Sequence, residues 1–252
     1  MYIDTHAHYD SEHFDSDRDA LLSSLPAAGI EAVIDPGCDE ASSLAALALA
    51  EKYPFVYAAV GWQPEEWQSW DMRSPAIVRR LAQSPKCVAI GEIGLDYYWD
   101  REHKELMYEM FVTQLELALE LGKPVIIHDR DAHADCLAIV KRYPGLRGVF
   151  HCYSGSAEMA HELLGLGWHL GFDGPITYKN ARKALEVLEI CPLERILLET
   201  DSPYLPPVPF RGKRNDSTKL SFIAEKVAEV KGLSAVEVAR ATCDNARRLF
   251  GI

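Results

Sequence analysis

Short apolar, β-branched runs alternate along this chain with longer stretches of helical period. The runs that predict strands are Tyr2–Thr5, Glu31–Asp35, Phe55–Val60, Cys87–Gly91, Pro124–His128, Gly148–His151, His169–Phe172 and Arg195–Glu199. Between them, helices are expected over Asp17–Ala28, Glu40–Lys52, Pro75–Gln83, Glu102–Leu121, Ala132–Arg142, Ala157–Leu166 and Ala181–Ile190. The longest of these carries Met107, Met110, Phe111, Ala118 and Leu121 at helical spacing, with Gly122 suited to the C-terminal cap and Pro124 barring continuation. Beyond the last strand, Leu220, Ile223, Ala224, Val227 and Val230 form another apolar stripe. Ser234 with Glu237 then makes a capping box for a final helix.

Strand and helix alternate at about thirty residues per unit, the signature of βα units with right-handed crossovers. The expected fold is therefore α/β: a single (β/α)8 TIM-like barrel with additional C-terminal helices, in one domain over residues 1–252. A doubly wound open sheet is the alternative. That fold would more naturally place a Gly-rich loop after its first strand, where Thr5-His6-Ala7-His8 stands here. No internal repeat, low-complexity tract or dividing linker interrupts the pattern. The least regular stretch, Ser202–Ser217, reads as a long βα loop on the face where barrels carry active sites.

The formal net charge of −12 argues against a protein that coats nucleic acid through a broad basic surface. It leaves room for an enzyme that meets phosphate through bound cations and a small basic patch. Cysteines 38, 87, 136, 152, 191 and 243 form no Cys-x-x-Cys pair, and no basic stretch with a following apolar run opens the chain. Reduced thiols in a cytoplasmic protein are expected, with Cys152 packed rather than reactive. The most apolar tract, Leu44–Ala50, is too short to span a bilayer, so no membrane partner is expected. A monomer is compatible with the pattern.

The polar residues at the strand ends carry the chemistry. The first strand ends at His6 and His8, the fourth at Glu92, the fifth at His128, the sixth at His151, and the eighth at Glu199-Thr200-Asp201. Singly, each has an ordinary explanation, such as a satisfied buried histidine or a helix-capping acid. In a barrel all of these ends converge on one mouth. Four imidazoles and at least two carboxylates then share a cavity, a donor set suited to divalent metal. His6, His8 and Asp201 would serve one ion and His128 and His151 another, with Glu92 placed to bridge them. Two cations so bridged polarise a phosphoryl oxygen. Such donors accept Zn, Mn, Fe, Co or, less readily, Mg.

Taken together with their flanks, these residues resemble the TatD-like metal-dependent deoxyribonucleases of the amidohydrolase superfamily. The resemblance rests on Asp4-Thr5-His6-Ala7-His8, the stretch from Gly91 to Tyr97, Pro124 to Ala132, Phe150 to Gly155, Leu197 to Pro203, Arg211 to Asn215, and Asn245 to Phe250. It implies a metal-centred barrel that hydrolyses phosphodiesters in DNA, often from the 3′ end, with His6, His8, Glu92, His128, His151 and Asp201 as metal ligands. Asp201 would both touch metal and take a proton from the attacking water, with Glu92 the other catalytic carboxylate. Arg130 offers a planar fork to phosphate, and Arg211, Lys213 and Arg214 form a local basic cluster that could hold the DNA backbone. Ser154 and Tyr97 are weaker candidates for substrate contact, and Glu199 for a supporting role at the metals.

Two departures from the family pattern stand out. Gly61-Trp62-Gln63-Pro64 places Gln63 where the family commonly has histidine. Gln63 can donate a hydrogen bond to substrate but cannot act as a general acid. No proline follows Asn215 closely, which predicts a looser loop. Trp62, Trp67 and Trp70 could stack on unpaired bases or anchor their own loop; stacking would favour single-stranded DNA ends. The remaining alternatives are an amidohydrolase-type esterase or amidase acting on a small molecule, and an inactive metal-binding scaffold. Glu92, where a carbamylated lysine would stand in another subgroup, argues against that subgroup.

Overall fold

In the computed structural model, which describes residues 1–252, eight parallel strands lie in sequence order around a barrel. They are β1 (Tyr2–Asp4), β2 (Ile30–Pro36), β3 (Val56–Val60), β4 (Cys87–Asp96), β5 (Val125–Arg130), β6 (Gly148–Phe150), β7 (His169–Phe172) and β8 (Ile196–Leu198). Helices α1 (Arg18–Ser24), α2 (Glu40–Lys52), α3 (Ser74–Leu81), α4 (Lys104–Leu121), α5 (His133–Val140), α6 (Ala157–Gly165) and α7 (Arg182–Ile190) clad the outside. Two further helices, α8 (Leu220–Lys231) and α9 (Ala235–Phe250), follow the last strand. The barrel expected from the alternating pattern is thus the one formed, and the open-sheet alternative is not.

Closure between β8 and β1 occurs just past the strand ends. Thr5 N–H donates to Leu198 O at 3.1 Å, Asp201 N–H to His6 O at 2.9 Å, and His8 N–H to Ser202 O at 2.7 Å. The seam that shuts the barrel therefore also fixes His6, His8 and Asp201. Asp4, fully buried, ties it from outside by accepting from Thr200 Oγ1 and Ser217 Oγ, each at 2.6 Å.

Side chains alternate across each strand with period two. In β2, Ala32 and Ile34 face the barrel interior, whereas Val33 joins the layer between sheet and helices. The interior layer combines Ile3, Ala32, Ile34, Ala59, Ala89, Ile126, Val149 and Leu197 with Cys243, Ala246, Leu249 and Phe250 of α9. Helix α9 thus plugs the end where strands begin. Each large side chain buried there contributes about 1.5–3 kcal/mol. Asn245 on the same helix donates to Leu193 O and Ile196 O, both at 2.8 Å, pinning the plug to the start of β8. The opposite end is left to the polar residues.

Several boundaries differ from the sequence expectation for physical reasons. Helix α1 stops at Ser24 rather than Ala28 because Pro26 has no N–H to give to Leu22 O, although Leu25 keeps helical backbone angles, and Gly29 (φ 88°) then turns the chain into β2. β4 continues to Asp96 rather than Gly91, since β5 still pairs with it through Asp96↔Arg130. A register shift between Ile90 and Ile93 changes the face each residue takes. Ala89 points inward, Ile90 and Ile93 outward, and Glu92 is delivered to the mouth. All six cysteines are free thiols. No helix is long and apolar enough to cross a membrane.

Candidate metal centre

The six residues singled out at the strand ends meet at the carboxyl mouth of the barrel. His6 Nε2 and His8 Nε2 stand 3.1 Å apart. Glu92 Oε2 lies 3.5 and 3.7 Å from these two nitrogens, and Asp201 Oδ1 lies 3.7 and 3.6 Å from them. Donors around one tetrahedral ion at about 2.0–2.2 Å are themselves about 3.3–3.6 Å apart. The spacing of His6, His8 and Glu92 is close enough for a single cation, with Asp201 Oδ1 beside the two histidine nitrogens. The other oxygen of Glu92 faces a second group: Oε1 is 2.7 Å from His128 Nδ1 and 3.3 Å from His151 Nε2. One carboxylate thus turns its two oxygens toward two separate sets of imidazole donors.

Hydrogen bonds on the far side of the His8 and His128 rings select which nitrogen keeps its lone pair. His8 Nδ1 lies 3.1 Å from Pro36 O, so it carries the proton and leaves Nε2 free. His128 Nε2 lies 2.9 Å from Asp96 Oδ2, which leaves Nδ1 toward Glu92. His151 Nδ1 faces Glu199 Oε1 at 3.3 Å without a hydrogen bond; that oxygen accepts from Cys152 N–H. Carboxylates or carbonyls behind imidazoles are the usual second layer of a metal centre. His6 Nδ1 and Glu199 Oε2 are buried without any hydrogen-bond partner. A cluster this densely charged and incompletely satisfied is stabilised by cations.

Charge on the side chains points the same way. Burial opposes ionisation of Glu92, but His151, His6 and the bond from His128 hold its carboxyl well below the usual carboxylate range. Asp201 is also lowered against burial, through His8, His151 and His6. Burial would depress His128, yet Asp96 and Glu92 lift it to about 9. Burial and the neighbouring His151 push His6 down. Without cations, protons on some of the imidazoles balance the two carboxylates, and metal ions would take over that balance. Beside His8, Asp35 is fully buried with neither oxygen paired, and burial and the neighbouring Asp10 push its carboxyl well up.

The mouth opens into a cleft of about 1090 Å³ lined by His8, Glu92, His128, His151 and Asp201, together with Gln63 and Arg130. Gln63 Nε2 donates to Glu65 Oε1 at 3.2 Å. Arg130 forms no ion pair with Asp129 or Asp131: Asp129 engages His133, and Asp131 faces Arg101. Its guanidinium instead lies 4.0 Å over the ring of Tyr98. Arg211 and Arg214 do not line the cleft. Arg214 is committed to Asp17 at 2.6 and 2.8 Å and to His13 O, so its expected place on substrate is corrected to a structural one. Arg211 stacks 4.4 Å over Tyr178.

The tryptophans named in the sequence pack their own loop. Trp62 is buried with Nε1 donating to Ser69 Oγ, Trp70 meets it edge-on, and Trp67 stacks on His103 at 3.7 Å. Nor is the loop after β8 loose. Buried Asn215 donates to Thr200 O and Tyr204 O at 2.8 Å, which replaces the stiffening a proline would have given. Sequence reasoning missed Asp96 as the partner of His128, and missed Tyr98 and Trp99 beside the cleft. The only available signal was their place just beyond Glu92 in the chain.

Imidazoles and carboxylates gathered at the carboxyl mouth of an eight-stranded barrel define a class, the metal-dependent hydrolases built on this fold. Within it the chain belongs to the family described as TatD related DNase, whose model matches residues 3–251. Among its relatives is the Bacillus subtilis protein YabD, named as an uncharacterized metal-dependent hydrolase, at 41% identity over 100% of both chains. A protein of Erwinia tasmaniensis named 3′-5′ ssDNA/RNA exonuclease TatD is 36% identical over 96% of both chains. The crystal structure of YjjV, a TatD homologue from Escherichia coli, superposes with a TM-score of 0.94 at 34% identity, covering 100% of this chain and 98% of that one. The protein is accordingly a metal-dependent hydrolase.

Proposed function

We propose that this enzyme hydrolyses phosphodiester bonds at the 3′ ends of single-stranded DNA, using two divalent cations drawn from Zn, Mn or Mg. The observation that carries the proposal is the division of Glu92, with Oε2 toward His6, His8 and Asp201 and Oε1 toward His128 and His151. In this reading His6, His8, Asp201 and Glu92 would hold one ion, and His128, His151 and Glu92 would hold the other. Bound there, the cations would polarise a phosphoryl oxygen and lower the pKa of water toward neutrality. Asp201, kept ionised by its histidine neighbours, accepts the proton of the attacking water. Arg130 offers its fork to a phosphate oxygen, and Gln63 donates a neutral hydrogen bond.

Relatives named as 3′-5′ exonucleases on single-stranded DNA and RNA support the choice of substrate. A second reading, hydrolysis of a small phosphoester, is favoured by the lining of the cleft. Arg130 is the one Arg or Lys there, set against Asp10, Glu12, Asp39, Glu65 and Glu66. The test uses metal-free protein with Mg, Mn or Zn restored, on single-stranded DNA fluorescent at its 3′ or its 5′ end. The expected result is a ladder from the 5′-labelled strand and immediate release of the 3′ label. Asp201→Ala should lower both by about 10²–10⁴-fold. Turnover of small phosphodiesters with intact DNA would select the second reading.

A further inference from the structure

Two large aromatic side chains stand exposed at the rim of the metal cleft. Tyr98 and Trp99 occupy the turn between β4 and α4, with 54% and 62% of their surfaces open. Aromatic rings of this size are mostly buried in folded proteins, and an exposed pair beside a site calls for a partner. Arg130 lies 4.0 Å over the face of Tyr98 and 5.4 Å from the centroid of Trp99. It makes no hydrogen bond or ion pair to any carboxylate, so its fork is free. Trp99 and Arg130 both line the cleft that holds the candidate metal ligands.

The ledge is also held in place. Asp96 Oδ1 accepts the backbone N–H groups of Tyr98 at 2.8 Å and Trp99 at 3.0 Å. The same carboxylate, through Oδ2, is the partner of His128 Nε2. A single buried side chain therefore fixes both the imidazole at the second metal position and the two aromatic residues beside it. Such coupling makes sense where a ligand must touch both.

Resting on the phosphodiesterase reading above, we propose that Tyr98, Trp99 and Arg130 form a nucleobase subsite that recognises an unpaired base near the scissile phosphate. The indole of Trp99 offers its face to the base, and the guanidinium, pre-set on Tyr98, meets the adjoining backbone phosphate. Stacking on a single indole tolerates any base because every base has a π-face. It requires that the base be free of its duplex partner, so the ledge selects single-stranded ends without selecting sequence. The negative cleft described above makes this contact more important, because Arg130 is the one basic side chain lining it.

The test compares the metal-loaded wild type with Trp99→Ala and Trp99→Phe. The substrates are a single-stranded oligonucleotide and the same strand with tetrahydrofuran residues in place of the last few nucleosides. On the base-bearing strand, kcat/KM should fall about tenfold in Trp99→Ala and recover in Trp99→Phe. The wild type should lose a similar factor when the bases are removed, and the gap between wild type and Trp99→Ala should then close. Equal dependence on the bases in both proteins overturns the subsite and leaves the nuclease reading intact. If the wild type cleaves neither strand, the nuclease reading fails and binding decides the subsite alone. On an Asp201→Ala background, the Kd for a short fluorescent oligothymidylate should weaken about tenfold on adding Trp99→Ala. No binding, or an unchanged Kd, overturns it.

Discussion

At the scale of single residues, the centre depends on side chains that touch no substrate. Asp96 accepts from His128 and so determines which ring nitrogen faces Glu92. Asp96→Asn keeps the shape but loses the charge that favours this tautomer. Metal affinity should fall about 10–100-fold, read by competition with a fluorescent chelator. His6, His8, Glu92, His128, His151 and Asp201 were legible because each is a polar residue at the end of an apolar run. Asp96 was not, because the bond that gives it a role spans 32 positions of chain. Away from the site, His169 opens β7 with Nδ1 unpartnered, and burial together with Arg195 lowers its pKa from 6.5 to about 4. The folded protein keeps this ring neutral while the unfolded chain protonates it below 6.5. The stability is therefore intact above that pH and is lost as pH falls toward 4, by up to about 3 kcal/mol. In urea unfolding at matched metal content, His169→Gln should lose less stability than the wild type between pH 6.5 and pH 4.

At the scale of elements, the pattern of apolar runs named every strand and helix but not what each one packs against. The capping box at Ser234 and Glu237 marks where α9 begins, not which face it buries. It does not tell that the face plugs the barrel interior with Leu249 and Phe250. Asn245 is the residue to test, since its side chain bonds two backbone carbonyls at once, one of them buried. Asn245→Ala removes both side-chain bonds, leaving Leu193 O to the Ile196 N–H alone, and should cost about 1–2 kcal/mol, measured by urea unfolding. β4 shows the other limit of the pattern. Strict alternation from Ala89 would turn Glu92 toward the helices, and only the register shift after Ile90 brings it inward. Such irregularities depend on the neighbouring strand and leave little trace in local sequence.

At the scale of the whole molecule, the (β/α)8 architecture was legible because strand and helix alternate with few interruptions. The surface was less so. The basic cluster at 211–214 suggested a DNA-holding loop, but Arg214 is bound to Asp17, 197 positions away in the chain. What remains is a chain of net charge −12 whose candidate cleft is itself acidic, so under the proposed function bound cations would supply most of the attraction for a phosphate. The measurement that tests this account most directly is a titration of the metal-free protein with Mn²⁺. Bound metal and the rate of single-stranded DNA hydrolysis are followed together. Two bound equivalents per chain, with turnover rising only as the second is filled, is the predicted result. Full turnover with one equivalent bound, or none with two bound, would contradict a centre in which Glu92 joins two working cations.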